Sequence, residues 1–178
     1  DMQRFAAEDA VAMPPPGSVL FVGSSSIRLW HTLAADFPGV PVINRGFGGS
    51  EIRDSTWYAD RIVVPYAPRM IVLYAGDNDL ASGRSPSQLR DDFRSFVTRV
   101  RHDLPGVKIA YISNKPSPSR MRLLPAQREA NSLILQDIAT MKRVQFIDIF
   151  TPMLDAHGQP RAELFREDRL HMNPAGYE

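Results

Sequence analysis

Five short apolar runs, most of them followed by a segment of helical character, constrain this chain more than any other feature. The runs are Ser18–Val22, Val40–Ile43, Met70–Ala75, Val107–Ile112 and Val144–Ile149. Candidate helices lie between them at Ile27–Phe37, Asp54–Val64, Pro86–His102 and Pro125–Met141. Crossovers of this length make neighbouring strands parallel, because an antiparallel pair needs only a short hairpin. The third run, Met70-Ile71-Val72-Leu73-Tyr74, is apolar without alternation, which suits a strand covered on both faces. The pattern predicts an α/β fold: a three-layer α/β/α sandwich around a mainly parallel five-stranded sheet.

The punctuation supports this reading. Pro38-Gly39 stops the first candidate helix after the sheet begins, and Ser85-Pro86 offers an N-cap followed by a proline at the first helical position. An N-terminal stretch, residues 2–12, has helical composition with Phe5, Ala6, Val11 and Met13 as candidate anchors. Pro14-Pro15-Pro16-Gly17 ends it, since proline lacks an N–H and clashes inside helices. The expected organisation is a helical arm over residues 1–17 and one domain over residues 18–178, with a C-terminal helix cut short. Both ends read as trimmed, because the chain starts at Asp1 without Met and stops at Glu178 as a helix begins; the compartment is left open.

Composition narrows the function. With 21 basic against 20 acidic residues, nothing favours nucleic acid as a partner. No apolar run approaches the ~20 residues of a membrane span. The absence of cysteine removes a thiol nucleophile and thiolate-bound metals.

The unusual residues gather where the first three strands end: Gly23-Ser24-Ser25-Ser26, Gly46-Phe47-Gly48-Gly49 and Gly76-Asp77-Asn78-Asp79. In a parallel sheet these turns share one edge, where open α/β sheets bind ligands. The serines alone fit an N-cap. Glycine lets a backbone N–H approach a bound atom, and an asparagine amide donates as well, so with a serine hydroxyl these are the parts of an oxyanion hole. A serine needs a base to become a nucleophile. Of the four histidines, His31, His102 and His157 read as surface residues. His171 follows Asp168 by three residues, a spacing that lets the carboxylate orient the ring.

These blocks resemble the SGNH hydrolase superfamily, also known as GDSL esterases and lipases, in the right order from residue 19 to the end. Phe21-Val22-Gly23-Ser24-Ser25 is similar to the Gly-Asp-Ser block, with Ser24 in place of the usual Asp. Asn44-Arg45-Gly46-Phe47-Gly48-Gly49, Gly76-Asp77-Asn78-Asp79 and Asp168-Arg169-Leu170-His171 resemble the blocks that follow. The resemblance implies a flavodoxin-like fold, Ser25 as nucleophile, His171 as base and Asp168 as its orienter. It implies an oxyanion hole from the Ser25 and Gly49 N–H groups and the Asn78 amide. The triple serine leaves Ser26 as the alternative nucleophile; the register of Gly23 and Trp30 with the family favours Ser25.

The implied activity is hydrolysis of short-chain acyl esters of sugars, lipids or other small molecules through an acyl-serine, with no metal and no organic cofactor. Phe47, Lys115 and Ser119 are candidate substrate contacts. An acetyltransferase of the same family is one alternative. A nucleotide- or flavin-binding module is another, although it leaves Asp168 and His171 without a task, and neither a phosphate-binding Gly-Lys-Ser/Thr loop nor the dinucleotide glycine spacing is present.

Overall fold

The structure, a computed structural model, describes all residues 1–178. The five apolar runs form β1 (Val19–Gly23), β2 (Val42–Gly46), β3 (Met70–Tyr74), β4 (Lys108–Ile112) and β5 (Val144–Ile147). All neighbours pair in parallel, in the order β2-β1-β3-β4-β5. The helices are α1 (Met2–Val11), α2 (Ser25–Arg28), α3 (Leu33–Asp36), α4 (Ile52–Trp57), α5 (Ala59–Ile62), α6 (Asp77–Ala81), α7 (Pro86–Asp103), α8 (Leu124–Ile138) and α9 (Pro174–Tyr177). The α/β class and the parallel five-stranded sheet therefore stand as expected.

The two faces of the sheet are covered unequally. Leu20, Val22, Ile71, Leu73, Ile109 and Tyr111 point into a cluster of 26 buried residues, closed by α4, α5, α7, α8 and Phe5 of α1. On the other face Phe21, Val72, Tyr74, Ala110 and Ile112 form with Ile27 and Leu33 a buried cluster of only seven, with Trp30 and Ile149 among the partly buried residues packed against it. An apolar cavity of about 560 Å³ lies against this thinner face, lined by Phe21, Trp30, Ile112 and Tyr177 among others.

α7 shows why its sequence is helical. Ser85 accepts from the Gln88 N–H, and the Gln88 side chain returns to the Ser85 N–H, a reciprocal cap worth about 1 kcal/mol. Leu89, Phe93, Phe96, Val97 and Val100 then fall on one stripe and are buried.

Three expectations need correction. The helix expected over Asp54–Val64 is two short helices, α4 and α5. The single helix expected over Ile27–Phe37 is broken into α2 and α3. The Asp36 carboxylate accepts from both the Trp30 indole (2.6 Å) and the Thr32 hydroxyl (2.7 Å). Such local side-chain bonds compete with a continuous helix. They leave Trp30 edge-on to Phe21, at 5.6 Å between ring centroids. Of the four candidate anchors in the N-terminal arm only Phe5 is buried; Ala6, Val11 and Met13 face solvent. The arm is instead fastened by charge: the buried Arg45 of β2 bonds Glu8, Asp9 and the Tyr66 hydroxyl.

Candidate active site

The chain runs out from β1 to β2 at one edge and returns to β3 on the other side of β1. The connections on the two sides of β1 diverge, and at such a switch point open α/β sheets place their ligand crevice, outside the C-terminal ends of β1 and β3. Register brings the loops level: Gly23 pairs with both Gly46 and Tyr74. Gly23 cannot be replaced there, since its φ is +138° and a Cβ would lie 1.8 Å from the Tyr74 carbonyl oxygen. Gly76 plays the matching part after β3, with φ +134° and a Cβ that would lie 2.3 Å from Asn114 Oδ1. Each glycine turns the chain so that the residue two positions on, Ser25 or Asn78, enters the crevice.

The three serines separate by environment. Ser24 and Ser26 are buried, and Ser26 lines the apolar cavity. Ser25 opens α2, is half-buried, and its Oγ lies 3.0 Å from His171 Nε2. No hydroxyl of Ser24 caps the helix. The Tyr177 hydroxyl donates to the Ser26 carbonyl at 2.8 Å, tying the tail to α2.

His171 Nδ1 lies 2.6 Å from Asp168 Oδ2. Asp168 Oδ1 accepts from the N–H groups of Leu170 and His171, both at 2.9 Å, and Arg169 between them takes φ +56°. The bond from the His171 ring, then those from the His171 and Leu170 N–H groups, hold the Asp168 carboxyl well below the usual carboxylate range. A carboxylate only accepts, so the arrangement suits the tautomer with its proton on Nδ1, in which Nε2 is the nitrogen that can accept from Ser25. The turn is anchored by the Arg166 N–H on the His171 carbonyl (2.8 Å) and the Ser119 N–H on the Arg169 carbonyl (3.0 Å).

Across the crevice, neither the Ser25 N–H nor the Gly49 N–H donates to any protein acceptor, and Gly49 is exposed with φ +72°. Asn78 Nδ2 donates to the Ser50 carbonyl at 3.0 Å, and its Oδ1 accepts from Arg120 at 3.0 Å. Beneath it Asp77 accepts from Lys115 Nζ at 3.1 Å and pairs with Arg120 at 3.1 Å. Burial would raise Asp77, but the charges of Lys115 and Arg120 outweigh it and hold the carboxyl below its ordinary value. Asp79 is fully buried, accepts from the Ile52 N–H at 3.0 Å, and burial pushes it up to about 7.

Three sequence-based candidates for substrate contact fare differently. Phe47 is buried in the main core, edge-on to Tyr58. Lys115 is 1% exposed and turned onto Asp77 and Tyr74. Both side chains are engaged by protein partners rather than open to solvent. Ser119 is exposed beside the Asp168–His171 turn. The residue that sequence reasoning missed is Arg120, one position further on. Nothing in its local pattern signals a role, because its partners lie 42 and 43 residues earlier.

The sequence model of the GDSL-like lipase/acylhydrolase family matches residues 20–178. No curated protein matches the chain. Solved structures do resemble it. A Streptococcus pneumonia protein superposes with a TM-score of 0.85 at 21% identity, covering 99% of this chain and 85% of that one. A GDSL-like lipase from Bacteroides thetaiotaomicron gives 0.80 at 21%, over 99% and 91%. A mutant of an acetyl-xylooligosaccharide esterase from Geobacillus gives 0.69 at 15%, over 92% and 90%. At such identities the superpositions speak for the fold.

Proposed function

The chain belongs to the GDSL-like lipase/acylhydrolase family, and from that premise we propose that it cleaves short-chain carboxylic esters through an acyl intermediate on Ser25. The observation that carries this reading is the unbroken chain from Ser25 Oγ to His171 Nε2 (3.0 Å) and from His171 Nδ1 to Asp168 (2.6 Å). It joins residues 146 positions apart.

In the proposed reaction Ser25 Oγ attacks the acyl carbon while its proton passes to His171 Nε2. The imidazolium so formed is stabilised by the Asp168 carboxylate. The carbonyl oxygen becomes an oxyanion that accepts from the Ser25 N–H, the Gly49 N–H and Asn78 Nδ2. Collapse breaks the ester C–O bond, and His171 returns the proton to the leaving alkoxide. Water then attacks the acyl-serine with His171 again as base, releasing the acid and restoring Ser25. Hydroxyls of Ser24 and Ser26 are buried away from this chain of bonds, which favours Ser25 among the three.

Acetyl esters of sugars are one class to assay, one of the fold neighbours being an acetyl-xylooligosaccharide esterase. The test is a chain-length panel of p-nitrophenyl esters, with acetylated sugars alongside, run on wild type, Ser25→Ala and Ser26→Ala. Ser25→Ala is expected to lower kcat by at least about a thousandfold, and Ser26→Ala by less than about tenfold. The reverse order would transfer the nucleophile to Ser26.

A further inference from the structure

An asparagine helps an oxyanion only if its amide is held the right way round, because its oxygen and nitrogen ends have nearly the same shape. Two partners break that tie at Asn78. A guanidinium only donates, so the end that meets Arg120 Nη2 at 3.0 Å must be the oxygen. A carbonyl only accepts, so the end that meets Ser50 O at 3.0 Å must be the nitrogen. Nδ2 carries two N–H groups; Ser50 takes one and the other is left for the crevice.

Arg120 is itself held. Its guanidinium pairs with Asp77, which Lys115 also bonds, and the arginine side chain is only 19% exposed. Two cations against one carboxylate leave a net positive charge beside the carboxamide. A cation on Oδ1 polarises the amide and strengthens the opposite N–H as a donor. The neighbouring residue, Ser119, donates to the Arg169 carbonyl in the turn that carries His171. The segment therefore touches both sides of the crevice.

We propose that Arg120 is a positioning residue that orients and polarises Asn78 for the oxyanion. The assignment rests on Asn78 serving as an oxyanion donor. Its test is a double-mutant cycle of Arg120→Met and Asn78→Ala, read as kcat and KM on p-nitrophenyl acetate. Asn78→Ala should lower kcat by about a hundredfold or more. Arg120→Met should lower kcat by about ten- to a hundredfold with KM changed less than about threefold. In the Asn78→Ala background the same substitution should cost less than about twofold. Millimolar guanidinium ion should restore part of the activity of Arg120→Met and none of that of the double variant. Arg120→Lys, which keeps the charge but not the fork, should fall between wild type and Arg120→Met and keeps the question open to measurement if the methionine variant does not fold. Additive losses in the cycle, or Arg120 variants within about twofold of wild type, would overturn the assignment while leaving the oxyanion role of Asn78 intact. An unchanged kcat in Asn78→Ala would remove that role and the assignment with it.

Discussion

The two sides of the crevice hold their polar groups by opposite means. Asp168 is 48% exposed and His171 26%, and their turn is held by backbone N–H groups within three residues. Asn78, by contrast, rests on Asp77, Lys115 and Arg120, which are largely buried and come from two separate loops. A carboxylate in reach of water and backbone dipoles needs no countercharge. One out of water does, since an uncompensated buried charge costs several kcal/mol. The exposed side is cheap to assemble and adjustable; the buried side is rigid and intolerant. Activity and stability should therefore respond to mutation in opposite order on the two sides.

The largest effect expected is on the exposed side. Asp168→Asn keeps Oδ1 for the Leu170 and His171 N–H groups but presents an amide where Oδ2 faced Nδ1. The ring is then driven to the wrong tautomer, and kcat should fall on the order of ten-thousandfold, by analogy with triads of this kind. Thermal melting should barely move. A melting temperature that drops along with kcat would erase the contrast between the two sides.

The next effect lies on the buried side. Lys115→Met removes one of the two cations facing Asp77 and should cost about 3–5 kcal/mol of unfolding free energy, measured by urea denaturation. Its kcat, on the folded fraction, should stay within about tenfold of wild type. Stability unchanged to within about 0.5 kcal/mol would mean that Arg120 alone compensates Asp77.

The smallest expected effect sharpens the buried side by pH. Burial raises Asp79 to about 7 in the folded protein, above the ordinary 3.8 of an unfolded carboxyl. The folded state thus binds the proton more tightly, so this stabilisation is full below about pH 4 and is lost as pH rises through about 7. Asp79→Asn keeps the acceptor for the Ile52 N–H and carries no charge. Urea melts at pH 5 and pH 8 should show wild type losing roughly 2 kcal/mol that the variant keeps. Parallel losses in both proteins would refute the assignment of this pH dependence to Asp79.

The same contrast decides what was legible in the sequence. The Asp168–His171 pair could be read because its geometry is local: three residues on one turn bring ring and carboxylate together whatever surrounds them. The glycine-ended strands could be read for a similar reason, since a residue at φ +138° or +134° must be glycine. The sequence places Lys115 and Phe47 near the sheet edge but carries no information on the direction of their side chains. Whether a residue at a strand end faces the crevice or the core depends on what packs against it. Lys115 turns inward because Asp77, from another loop, supplies the countercharge. Phe47 turns inward because Tyr58 and the main core receive it. The break between α2 and α3 escaped notice because Asp36 captures Trp30 and Thr32 through side-chain bonds that no helical periodicity records.

By itself, then, the sequence determined the strand and helix alternation, the parallel sheet, the edge on which the polar turns gather and the family to which they belong. The alternation, the sheet and the edge follow from periodicity, chain punctuation and backbone sterics, all of which act over a few residues; the family follows from the resemblance of the ordered blocks and the family-model match. Only the tertiary structure decided which serine meets His171, which way round Asn78 is held, and that Arg120 stands behind it. Those are contacts between residues 28 to 146 positions apart, and their energies exist only once the sheet has brought its edges together.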